Sequence, residues 1–168
     1  MKFKLMLGAA LALLATAAEA KEKAKPPVAK PMIERAVASP TAVISSMVSI
    51  PPGSRIIYLS GSTGSPLDPA KPEEVGDTRA QTLSILTKMK ASLEAMGLGM
   101  GDIVKMNVFL VAPTPGGRMD SAAMNDVFKT FFGTADQPNR PARSTVQVAA
   151  LGRPTTFVEI EAVVAKAP

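Results

Sequence analysis

The sequence predicts an α+β domain in which two amphipathic helices pack on one face of a mainly antiparallel sheet. Three observations carry that reading. Near the C-terminus two stretches alternate apolar and polar residues with a period of two, the mark of half-buried strands. In residues 141–151, Ser144, Val146, Val148 and Ala150 share one face, and Arg143, Thr145 and Gln147 share the other. In residues 157–165, Val158, Ile160, Ala162 and Val164 lie opposite Glu159 and Glu161. Upstream, two segments repeat their apolar residues at helical spacing, and they interleave with strands in the order β-β-α-β-α-β-β. The charged strand faces are expected to meet water, a partner chain or a ligand.

Taken in order, Met1-Lys2-Phe3-Lys4 is a short basic start followed by the apolar run Leu5–Ala17. Ala18-Glu19-Ala20 then has the small-x-small form of a signal-peptidase site. Residues 1–20 are read as a signal peptide cut after Ala20, which implies a periplasmic or secreted protein with no stable membrane anchor after cleavage. Residues 21–39 hold Lys21, Lys23, Lys25 and Lys30 among Pro26, Pro27 and Pro31, and read as a flexible linker. Residues 40–168 form the domain.

Residues 42–50 read as a first strand, Pro51-Pro52-Gly53 as a turn, and Arg55–Ser60 as a second strand forming a hairpin with the first. Residues 61–72 are loop. Asp77 is a natural N-cap for a helix over 78–96, with Thr82, Leu83, Ile85, Leu86, Met89, Leu93 and Met96 as its stripe and Gly97 as its stop. A third strand spans 102–111. A second helix over 120–132 runs through Met124, Val127, Phe128 and Phe131 to Gly133.

Composition excludes much chemistry. The 168 residues contain no Cys and no His, which removes thiol nucleophiles, disulfides, and imidazole acid–base or metal chemistry. No carboxylate spacing suggests a metal site. Removing the leader takes two lysines and one glutamate from 19 basic and 14 acidic residues, so +5 becomes +4. That mild, dispersed excess does not argue for nucleic acid.

Pro141-Ala142-Arg143-Ser144-Thr145-Val146 followed by Val158-Glu159-Ile160-Glu161-Ala162 resembles the C-terminal signature of the RidA (YjgF) family of enamine/imine deaminases. Pro51-Pro52-Gly53, Tyr58-Leu59-Ser60-Gly61, Gly76-Asp77-Thr78, Gly97-Leu98, Asp102–Lys105 and Asn125 with Phe131-Phe132 resemble further family segments in the same order. The resemblance implies a chorismate-mutase-like subunit assembled as a homotrimer around a central β-barrel, with clefts between neighbours. It implies hydrolysis of reactive enamines or imines to 2-keto acids and ammonia, without metal or organic cofactor.

By the same resemblance, Arg143 is expected to hold a substrate carboxylate, which suits a planar bidentate donor. Glu159 is expected to position and activate water. Ser60, Gly61, Asn125 and Thr145 match cleft positions, while Glu161 is expected to be structural. Thr145 stands where the best-known members carry Cys. Ile44 falls, by spacing from Ser60, where a cleft tyrosine is expected, and Ser62 replaces a usual Gln. The loop 112–118 and the turn 152–156 are longer than the family pattern. The alternative is a non-catalytic small-carboxylate binding or protein-interaction module on the same scaffold. RNA cleavage finds neither a His nor a basic–aromatic platform.

Overall fold

The computed structural model of the chain describes residues 32–168. The expected signal peptide and residues 21–31 of the expected linker lie outside them. The elements run β1 (Glu34–Ala36), β2 (Met47–Ser49), β3 (Arg55–Thr63), α1 (Thr78–Ala95), a 3₁₀ turn (Met100–Asp102), β4 (Ile103–Leu110), α2 (Ser121–Phe131), β5 (Ala142–Gln147) and β6 (Val158–Lys166). The sheet order is β3-β6-β4-β5, with β6 antiparallel to both neighbours and β4 parallel to β5. The two helices and the mixed sheet are the α+β arrangement that the period-two and helical patterns predict.

Local chemistry accounts for the helix limits. Asp77 caps α1 by accepting from the Ala80 N–H at 2.8 Å, and Asp120 caps α2 through the Ala123 N–H at 3.0 Å. Beyond α1, Gly97 takes the left-handed conformation that lets the chain reverse, and the Leu98 N–H closes back on the Leu93 carbonyl. The buried face of α1 includes Ile85, Leu86, Met89 and Leu93. Leu83 and Met96, expected in that stripe, are exposed instead. On α2 the core side adds Phe132, just past the helix end, stacked 4.4 Å from Phe128.

Cross-strand partners on a sheet share a face. Met106, Val108 and Leu110 of β4 and Val158, Ile160, Ala162 and Val164 of β6 are all buried beneath the helices. Lys105, Asn107, Phe109, Glu159, Glu161 and Val163 therefore point to the other, uncovered face, as does Tyr58 opposite Val163.

Two expectations fail at the N-terminal side. Glu34–Ala36, placed in the linker by its Lys/Pro-rich surroundings, is a strand pairing antiparallel with β2. Three residues with no apolar alternation carry no strand signal. They are tied down by Arg35, whose Nη2 donates to the Gly101 carbonyl at 2.8 Å. The hairpin between β2 and β3 is also absent: β2 pairs with β1. Pro51 and Pro52 offer no N–H groups, and Ser45, two residues before β2, donates its N–H to the Pro141 carbonyl and bridges Ala142 at the start of β5.

Candidate active site

Arg143, Thr145 and Gln147 of β5 lie on the helix side, contrary to the expectation that the charged strand faces are left uncovered. Arg143 is opposite Met106, and Thr145 is opposite Val108, both buried under the helices. Ser144 and Val146, opposite Asn107 and Phe109, face outward instead. The reason is tertiary. β5 is the sheet's rim, where a long side chain can run under α2, burying its stem while its head keeps polar partners.

There α2 supplies three partners for Arg143 from adjacent turns. Nη2 donates to Asn125 Oδ1 at 2.6 Å, Nη1 approaches Met124 Sδ at 3.6 Å, and the guanidinium carbon sits 4.3 Å from the Phe128 ring centroid. Burial lowers the Arg143 pKa to about 10, so the group stays charged at neutral pH. No carboxylate lies within ion-pairing range of it among the described residues. A half-buried cation held by neutral groups can receive an anion. Beside it, Thr145 Oγ1 is buried without a hydrogen-bond partner.

Glu159 stands on the opposite face. It pairs across the strands with Phe109 and Thr63, and its carboxylate lies against Gly61. Leu59 pairs with Ala162 and Ser62 with Ile160, so Ser60 and Gly61 bulge out against Glu161 alone. Glu161 itself accepts from Asn107 Nδ2 at 2.7 Å, a structural tie. Ser60 borders a shallow concavity of about 260 Å³ with Tyr58, Lys105, Asn107 and Glu161. Lys105 Nζ donates to Ser144 Oγ at 2.8 Å.

The chain thus holds two separate groups. Arg143, Asn125 and Thr145 come together under α2, and Ser60, Gly61 and Glu159 come together on the uncovered face, with the sheet between them. Ile44 joins neither group by contact and packs half-buried against the core. Its neighbour Ser45 donates to the Arg140 carbonyl at 2.7 Å, which puts the segment beside the start of β5.

Sequence reasoning missed several supporting residues. Phe128 and Met124 were legible only as core stripe, though their spacing from Asn125 already puts all three within one turn and a half of helix. Gln81 is fully buried and saturates its amide. It donates to the Gly76 and Thr155 carbonyls and accepts from the Phe157 and Val158 N–H groups, all at 2.8–3.2 Å. It thereby fixes the start of β6, immediately before Glu159. No spacing rule announces such a residue.

Comparison with known proteins agrees with the fold and with the segments quoted above. A family model described as Endoribonuclease L-PSP matches residues 39–166. The 2-iminobutanoate/2-iminopropanoate deaminase of Dermatophagoides farinae is 41% identical over 109 residues, covering 64% of this chain and 76% of that protein. The crystal structure of Escherichia coli TdcF with bound serine matches with a TM-score of 0.54 at 34% identity, over 82% of this chain and 100% of that one. The Rid-family protein YyfB of Yersinia pestis gives a TM-score of 0.59 at 27% identity, over 73% of this chain and 86% of that one. With the fold, the order of its motifs and the family match all coinciding, the chain belongs to the Endoribonuclease L-PSP family, which is that of the RidA proteins.

Proposed function

We propose that the protein hydrolyses reactive 2-imino acids, and the enamines that tautomerise to them, to 2-keto acids and ammonia. The observation that carries this reading is the guanidinium of Arg143, half-buried, charged and without an anionic partner among the described residues. A substrate carboxylate completes it by a paired, charge-assisted hydrogen bond. The imine deaminase name of a relative at 41% identity supports the same substrate class.

Glu159 is the base of the reaction. Water adds to the imine carbon, forming a C–O bond while Glu159 takes one of its protons. The protonated Glu159 returns that proton to nitrogen, giving a neutral carbinolamine. Glu159 then carries the hydroxyl proton to the amino nitrogen as the C=O bond forms, the C–N bond breaks and ammonia leaves. Atoms and charge balance without an oxidant or reductant, and the chain has suitable groups for each transfer.

Because Arg143 and Glu159 lie on opposite sheet faces, one subunit cannot put both on one small substrate. The reading therefore includes a homotrimer in which the helix-side group of one copy meets the bulge-side group of its neighbour. An endoribonuclease reading gains nothing from this geometry: the chain has no His, and its one lysine in the concavity is engaged by Ser144. Export is part of the proposal, with Lys21 as the first residue of the mature chain, which the intact mass of protein recovered from a bacterial periplasm would check.

The test is release of keto acid from 2-iminobutanoate generated in place by a dehydratase. The wild type should exceed spontaneous hydrolysis. Arg143→Ala should lose about 100-fold in kcat/KM, the worth of a charge-assisted hydrogen-bond pair, and Glu159→Ala should lose about 100-fold or more in kcat. Binding of a 2-keto acid with no acceleration would replace the deaminase by a small-carboxylate binding module.

A further inference from the structure

Gly61 is a glycine for a reason other than its backbone. It is absent from the glycines with positive φ among the described residues, so its conformation is one that any residue adopts. What it lacks is room. A Cβ placed there would overlap Glu159 Oε1 and stand 2.9 Å from Glu159 Cδ and 3.2 Å from Cγ. The overlapping atoms are the tip of a flexible side chain, so a methyl group would displace the carboxylate before it moved the strand.

The β3 bulge explains the closeness. With two residues against one, Gly61 is turned toward the uncovered face just where Glu159, two positions along β6 from Glu161, lays its side chain back along the sheet. Glu159 makes no side-chain hydrogen bond and no ion pair among the described residues, so packing against bare Cα is what limits its position. Asn107, by contrast, ties down Glu161.

We propose that Gly61 is a positioning residue: the space left by its missing Cβ is the seat of the Glu159 carboxylate. The catalytic consequence rests on the deaminase reading, while the seat itself rests on geometry alone. A carboxylate pushed off its seat is displaced from the water it must deprotonate, and displacement by about 1 Å is worth up to about 100-fold in rate. Substrate capture, which belongs to Arg143 on the other face, is left alone.

The experiment combines crystal structures of the wild type and Gly61→Ala with kinetics of Gly61→Ala, Glu159→Asp and the double variant. Gly61→Ala is expected to keep the wild-type melting temperature, to show Glu159 in a different rotamer, and to lose about 10- to 100-fold in kcat with KM changed less than about threefold. Aspartate withdraws the carboxyl by one methylene, so on the Glu159→Asp background the alanine should cost less than about threefold. The proposal is overturned if Glu159 keeps its place beside the new methyl, or if the alanine costs as much on both backgrounds. Displacement of Glu159 in crystals of a protein whose wild type shows no turnover supports the seat and sinks the deaminase reading alone.

Discussion

The guanidinium of Arg143 lies 4.3 Å above the ring of Phe128, on the side of the sheet away from Glu159. The ring both shields the cation from water and attracts it through its quadrupole, and Asn125 fixes the edge that remains. Phe128→Leu keeps an apolar filler but removes the π face. It should raise KM about threefold to thirtyfold, the equivalent of about 0.5–2 kcal/mol for a cation–π contact, with a smaller change in kcat. Steady-state kinetics beside a thermal melt would separate this from simple loss of packing, and an unchanged KM in a folded variant would count against the arrangement.

The lowered pKa of Arg143 makes a second prediction, with a definite sign. Burial disfavours the charged form, so the folded protein releases this proton near pH 10, before the unfolded chain does. A ligand carboxylate binds the protonated form. Affinity for 2-oxobutanoate, followed by calorimetry, should be level from about pH 6 to about pH 9 and fall as the pH passes about 10. A fall centred near neutrality would assign the carboxylate to some other group.

How much of this was legible in the sequence differs by level. The limits of α1 agree to within a residue, because Asp77 and Gly97 are local signals whose physics acts within one turn. The alternation of β5 was legible too, but not which of its faces the helices cover. Period two says only that Arg143 and Ser144 differ. Where α2 lies decides which is inside, and that is set by the β4-α2-β5 crossover rather than by β5 itself. The expectation that polar means uncovered failed there because arginine can bury its stem and stack its head. Ile44 shows the limit of carrying a position by spacing alone: the separation from Ser60 spans a double proline and a change of strand partner, and the residue packs on the core.

A third prediction concerns Gln81, whose amide satisfies four backbone groups from three segments. Gln81→Leu fits the apolar surroundings but orphans the Phe157 and Val158 N–H groups and two carbonyls in a buried place. At about 1–3 kcal/mol for each buried group left unpaired, with partial relaxation, the loss should reach about 3 kcal/mol or more. For a domain of this size that is a fall of about 10 °C in Tm. A melt within about 2 °C of the wild type would mean that water or a local shift replaces the amide.

The opposite placement of Arg143 and Glu159 makes the sharpest test of the assembly. Arg143→Ala subunits still carry Glu159, and Glu159→Ala subunits still carry Arg143. If each cleft takes its arginine from one copy and its glutamate from the next, co-refolding the two inactive variants in equal amounts restores some clefts to the full pair. In a closed ring of randomly mixed subunits, the chance that one neighbour supplies Arg143 and the other Glu159 is about one in four. The mixture should therefore recover about a quarter of wild-type kcat per cleft, while either variant refolded alone keeps only its own residual activity, lower than wild type by about 100-fold. Recovery must also depend on exchange: the two variants mixed as preformed, non-exchanging oligomers should stay inactive. If both residues instead served a site within one chain, no mixture could make an intact one, and activity would remain at the level of the single variants whatever the ratio.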